Sequence, residues 1–478
     1  MIFNSLDFAI FLPLVFIVYW FVTDKNLKLQ NFTIVLASYF FYGWWDWKFL
    51  SLILFSTVVD YWVGIGLSKY EGKLHRRLLL CISITVNLGL LGFFKYYNFF
   101  LENFVTAFSF LGNDIKPNTL NIILPVGISF YTFQTLSYAI DVYRKKLRPT
   151  EDFIAFAAFV CFFPQLVAGP IERATNLLPQ FFKKREFVYD KATDGLRQIL
   201  WGLFKKIVIA DTCAEYANTI FNNSEMYSGS TLVLGALFFT FQIYGDFSGY
   251  SDIAIGTSRL FGFHLNRNFA FPYFSRDIAE FWRRWHISLS TWFRDYLYIP
   301  LGGSRGGTWM KIRNTFIIFI VSGFWHGANW TFIVWGTLNA FYFLPLLLSN
   351  QNRRNLDIVA GEGFLPSTKE LMGMFTTFWL TVLAWVFFRA EDIFHAFAYL
   401  SEIFSPSVFT YPEVFPKKVL LLLVAFMIME WFGRKQEYAI EHIKYYVPAF
   451  GRWVAYSLMV GIICYYSGEE QQFIYFRF

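Results

Sequence analysis

Apolar residues in this chain gather in blocks of helical length, and the alternation of half-buried strands is missing. The blocks run over about 6–22, 31–46, 49–68, 78–100, 122–140, 153–168, 196–210, 230–256, 313–329, 330–349, 373–388, 418–433 and 451–466. A bilayer core is crossed by roughly 20 apolar residues of helix, so the shorter blocks are read as tilted, broken or re-entrant. Backbone facing lipid must satisfy its own hydrogen bonds, which leaves helices and closed barrels. The alternating strands of about ten residues that a barrel needs are absent. The pattern predicts an all-α polytopic membrane protein, one domain over 1–478, with roughly 11–13 membrane-embedded helices including re-entrant and interfacial ones. It contains no internal repeat and no linker.

Composition sharpens this picture. Only 16% of residues are charged and 22% are aromatic, against about 25% charged in soluble domains. The net charge of +7 sits in short loops, which makes it a signal of topology rather than of nucleic-acid binding. Lys25 and Lys28, then Lys69, Lys73, Arg76 and Arg77, then Arg144, Lys145, Lys146 and Arg148 mark every second loop, while 46–48 and 101–121 are poor in basic residues. Basic loops stay cytoplasmic, which places the N-terminus outside. Leu6–Val22 has no basic residue before it and no small-residue cleavage site after it, so 1–22 is expected to be a retained first helix. The block 153–170 is short, holds Pro164 and Gly169–Pro170, and is followed by basic Lys183, Lys184 and Arg185. It is expected to dip in and return, walling an internal chamber. Residues 351–370 read as a solvated loop, and acidic 391–416 as an outer segment. Cys81, Cys161, Cys213 and Cys464 are scattered, which argues against a disulfide framework or a thiolate metal site.

Six histidines are present, and His326 alone lies deep inside an apolar block. Helical rise places it about 20 Å beyond Arg313. An ionisable group at that depth is a functional candidate, and its bland alternative is a hydrogen bond to Ser322 or Asn329. His286 sits within Asp277–Asp295, where Ile278, Phe281, Trp282, Trp285, Leu289, Trp292 and Phe293 form one helical stripe. This predicts a continuous amphipathic helix at the cytoplasmic interface, with His286 snorkelling at its edge. A neutral imidazole in an apolar chamber can take the proton of an attacking hydroxyl. The chain lacks the H-E-x-x-H spacing of a zinc site, the G-x-S-x-G elbow and a Walker loop. No metal site is expected. Asp60, Asp246, Asp252 and Glu430 lie in or beside apolar blocks. They are read mainly as packing hydrogen bonds, although a proton-coupled transporter would also use such groups.

Glu280–Gly303, containing Trp282–Arg283–Arg284–Trp285–His286, and Ser322–Gly323–Phe324–Trp325–His326–Gly327–Ala328–Asn329–Trp330 together resemble the membrane-bound O-acyltransferase family. Leu124–Gln134, Pro164–Ile171, Gln242–Asp252 and Phe473–Phe478 are similar to its branch that O-acetylates exported bacterial polysaccharides such as alginate. The resemblance spans nearly the whole chain, with its core motifs in 270–340. It implies tilted helices around a central reaction chamber in the bacterial inner membrane. A cytoplasmic thioester, acetyl-CoA, would donate, and an extracytoplasmic polysaccharide or periplasmic acetyltransferase partner would receive. No cofactor is implied beyond this donor substrate, and no partner beyond these and the membrane lipids. His326 matches the essential histidine and His286 the second one, while Ser322, Trp325, Asn329, Arg294, Asp295, Asp246 and Tyr250 are candidates to shape the chamber. D-alanyl transfer to teichoic acid, a transporter, and a non-catalytic scaffold of a polysaccharide machine are the alternatives.

Overall fold

The computed structural model describes residues 1–110, 119–167, 169–468, 471, 473 and 474. Residues 111–118 of the 101–121 loop, Ala168 and Tyr475–Phe478 of the C-terminal resemblance lie outside them. The described residues are helical, without strands. By length and composition, Leu27–Lys69, Lys73–Ser109, Gly229–Leu260, Trp330–Leu348 and Thr368–Arg389 can each cross a membrane, and shorter apolar helices cover Leu6–Val22, Phe153–Leu166 and Ile393–Ile403. This is the multi-pass helical class the block pattern predicts.

Two compact units are present, Met1–Gly195 with Thr257–Asn266, and Leu196–Gly256 with Arg267–Phe478. The first contains α1 (Leu6–Ile17), α2 (Leu27–Asp46), α3 (Leu50–Lys69), α4 (Lys73–Leu91, prolonged to Phe110), α5 (Ile128–Tyr143) and α6 (Phe153–Cys161). Asp60 on α3 accepts hydrogen bonds from Ser83 Oγ (2.5 Å) and Asn87 Nδ2 (2.8 Å) on α4. That is the packing role expected of this carboxylate. The 122–140 block turns helical only at Ile128, because Gly127 takes a φ of +75°. A Cβ there would run into the carbonyl oxygen of Leu166. The 153–168 block stops at Cys161 and restarts as a single turn, Phe163–Leu166, with Pro164 in its first turn. Proline lacks the N–H that a continuous helix would need there.

The second unit contains α7 (Tyr189–Leu203, entering it at Leu196), α8 (Thr212–Asn222), α9 (Gly229–Leu260, leaving it after Gly256), α10 (Ile278–Arg284), α11 (Ile287–Phe293), α12 (Gly307–His326), α13 (Trp330–Leu348), α14 (Thr368–Arg389), α15 (Ile393–Ile403), α16 (Lys417–Gly433) and α17 (Ala449–Tyr466). Helices α12 and α13 meet backbone to backbone at two glycines. A Cβ on Gly323 would meet the carbonyl oxygen of Phe332, and one on Gly336 that of Phe319. Small residues permit such close backbone approach, the usual device of helix pairing in lipid.

The single helix expected over 277–295 is corrected. α10 ends at Arg284 and α11 begins at Ile287, with His286 between them at φ +43°. A left-handed backbone at a non-glycine residue costs about 1–3 kcal/mol and persists only where its surroundings over-determine it. Here they do, because Ala270 N donates to Arg284 O and Ile287 N donates to Asn268 O, both at 2.9 Å. The segment 268–270 thus clamps both sides of the break.

Candidate active site

The clamp turns His286 inward. The residue is 1% exposed, not snorkelling at an interface. Its Nδ1 lies 3.1 Å from Asn268 Oδ1, and its Nε2 has no protein hydrogen-bond partner among the described residues. Phe247 packs edge-on against its ring at 4.6 Å, and Trp325 lies 6.2 Å away. His286 stands outside the five membrane-crossing stretches. Burial pushes its pKa down to about 3, which keeps it neutral. A buried acceptor nitrogen left without a donor costs about 1–3 kcal/mol, and the fold tolerates this at a position it also strains.

His326 is the last residue of α12 and is 4% exposed. Its ring lies 5.0 Å from that of Trp325, 5.2 Å from Trp335 and 5.3 Å from Phe388. Trp325 therefore stands between the two histidines and touches both. Behind it the wall continues through Trp385, 5.6 Å from Trp335 and 5.1 Å from Trp285. Such a wall excludes water and sharpens every polar interaction inside it. Trp335 and Trp385 were not singled out by the sequence pattern, because a tryptophan in an apolar helix looks the same facing lipid or facing a site.

Beside this wall lies a cavity of ≈ 230 Å³, lined by Ser322, Phe319, Trp282, Arg294 and Arg353 among others. Ser322 is one turn before His326, and Trp282 packs against Trp335 at 5.6 Å. Arg294, 58% exposed in its side chain, pairs with Asp295 at 2.7 Å. The cavity thus has an apolar interior and arginines among its lining, a combination that suits a ligand with an anionic head and a thin apolar arm.

The local scaffold is held by Glu280, 1% exposed. Its carboxylate accepts from Arg276 Nε at 3.0 Å and Arg284 Nη2 at 2.7 Å. Arg276 also reaches Asp357 at 2.9 Å and Glu370 at 3.2 Å. The i−4/i+4 arginines around Glu280 were visible as a helical face, but not the loop carboxylates they recruit.

A family model, the membrane-bound O-acyltransferase family, matches residues 146–359. A relative from Pseudomonas aeruginosa, named a probable alginate O-acetylase, is 39% identical over 92% of this chain and 82% of its own length. Its counterpart from Azotobacter vinelandii is 39% identical over 92% of this chain and 86% of its own. A peptidoglycan O-acetyltransferase from Helicobacter pylori is 38% identical over 80% of this chain and 76% of its own length.

The chain belongs to the membrane-bound O-acyltransferase family.

It is thus a multi-pass membrane enzyme of O-acyl transfer, as its motifs implied. Within this O-acyltransferase, the candidate residues separate. His286, Trp325 and His326 come together, and Ser322 and Arg294 share the adjoining cavity, with Asp295 holding Arg294. Asn329 caps α13, accepting from Thr331 N at 3.0 Å and donating to Glu391 O at 2.8 Å. Asp246 and Tyr250 join a different cluster. Asp246 pairs with Lys206 at 2.8 Å and accepts from Ile474 N at 2.7 Å, while the Tyr250 and Phe473 rings lie 4.2 Å apart. Lys206 also bonds Asp211 at 2.7 Å, and Lys205 pairs with Asp252 at 2.5 Å. The 196–210 block, expected as a plain apolar helix, instead carries two buried lysines in the widened turns Phe204–Asp211.

Proposed function

We propose that this O-acyltransferase moves an acetyl group from cytoplasmic acetyl-CoA, across the inner membrane, for O-acetylation of an exported polysaccharide such as alginate, directly or through a periplasmic partner. The observation that carries this reading is the convergence of His286 and His326 on Trp325, beside a cavity whose lining includes Ser322 and Arg294. In the transfer, an imidazole nitrogen of His326 takes the proton of the acceptor hydroxyl. The hydroxyl oxygen bonds to the thioester carbonyl carbon, the carbon–sulfur bond breaks, and the proton passes on to the departing thiolate. His286 lines the donor path beside Trp325 or assists the transfer. Arg294 meets the anionic part of the donor at the cavity. The names of the relatives, an alginate and a peptidoglycan O-acetyltransferase, support acetyl as the group and an extracytoplasmic glycan as the destination.

The basic loops support a cytoplasmic side for the donor and an extracytoplasmic N-terminus. The test is label transfer by purified protein in nanodiscs from radiolabelled acetyl-CoA to alginate oligosaccharides, with and without a periplasmic acetyltransferase. Label on the glycan or on the partner supports the proposal. Label moving only from a D-alanyl thioester, or none moving with a competent acceptor present, contradicts it.

A further inference from the structure

Asn268, in the irregular stretch before α10, is fully buried and uses its whole carboxamide. Its Oδ1 receives the backbone N–H of Ser288 at 3.3 Å and Ser288 Oγ at 2.9 Å, and lies 3.1 Å from His286 Nδ1. Its Nδ2 donates to Ser251 Oγ on α9 at 3.1 Å. A backbone N–H can only donate, so the atom facing Ser288 N is the oxygen, and the carboxamide cannot be flipped. An amide oxygen can only accept, so the imidazole nitrogen facing it carries the proton. A neutral imidazole has one N–H, and the lone pair then falls on Nε2, the nitrogen with no protein partner among the described residues.

We infer that Asn268 is a positioning residue, which locks His286 into the Nδ1–H tautomer and leaves a bare Nε2 as a hydrogen-bond acceptor beside Trp325. Ser288 and Ser251 serve the same end by holding the two ends of the carboxamide. The remaining ring neighbours, Phe247, Phe269 and Trp325, are apolar or aromatic and offer no competing charge. This inference rests on the reading of His286 as a member of the site, but its spectroscopic half stands apart from activity.

The experiment is solid-state nitrogen NMR of the full-length protein in nanodiscs, labelled at histidine nitrogens. His286 is assigned by the signals lost in His286→Gln. The expected spectrum has a protonated Nδ1 and an unprotonated Nε2 for His286. In Asn268→Ala the two tautomers mix, and in Asn268→Asp the new carboxylate favours a doubly protonated ring. Acetyl transfer by Asn268→Ala falls about 10–100-fold in kcat with KM for acetyl-CoA nearly unchanged, the scale of loss when a histidine loses its orienting partner. Asn268→Gln, which keeps the amide, recovers part of it. Size-exclusion profile and melting temperature establish that each variant is folded. A native Nε2–H signal, or a tautomer unchanged in folded Asn268→Ala, overturns the inference. Full activity in His286→Gln with the native tautomer signal as expected refutes instead the role given to His286.

Discussion

At the residue scale, one histidine was plain in the sequence and the other was hidden. His326 stood out because an ionisable side chain deep in an apolar block is costly and rarely idle. The sequence also shows His286, but not its burial. The apolar stripe runs unbroken through Trp285 and Leu289, so periodicity predicts one helix with His286 on its rim. Periodicity carries no sign of the left-handed residue that breaks it. That break depends on the distant Asn268 and Ala270, which sit where no helical period exists. Arg294 offers a residue-level test of the donor path. If it meets the donor in the ground state and transition state alike, as proposed, Arg294→Ala should raise KM for acetyl-CoA about 2–5-fold with kcat little changed, the size of an exposed charged contact. Steady-state kinetics check this; a fall in kcat at constant KM would take Arg294 off the binding path.

At the scale of elements, α12 and α13 were legible as adjacent apolar blocks, and their touching backbones were not. Gly323 lies three residues before His326, where the two helices meet. Gly323→Leu would force the helices apart, at a cost of about 1–3 kcal/mol from overpacking. The account expects a lowered melting temperature and lost transfer together, because the displaced helix carries His326. A stable Gly323→Leu variant with native transfer would show that the close approach is not needed to hold the histidine. The break in the 153–168 block was legible from Pro164. Its position at Phe162 is seen once the first unit's side chains are placed around it.

At the scale of the whole molecule, the class of protein followed from block length and charge alone, because a bilayer imposes both. The buried charges were less legible. Lys205 and Lys206 interrupt the 196–210 apolar block, and both are buried against aspartates of α9. Breaking a buried pair strands a charge, at a cost of about 3–5 kcal/mol, whereas replacing both partners with apolar groups is often near neutral. Lys206→Met should therefore destabilise the protein severely, and Lys206→Met with Asp246→Leu and Asp211→Asn should recover much of the loss. Melting temperatures in detergent measure this. If the combined variant is no more stable than Lys206→Met, the cluster holds the fold through its specific bonds, including those to the 471–474 segment, rather than through charge balance.

The most direct test of the central claim is acetyl transfer by the native protein and by His326→Ala, both folded and in nanodiscs, with labelled acetyl-CoA and a competent acceptor. A general base contributes about 10²–10⁴-fold, so the account predicts that transfer in His326→Ala falls by that factor while donor binding persists. Transfer at the native rate in a folded His326→Ala protein would contradict it and remove His326 from the reaction centre.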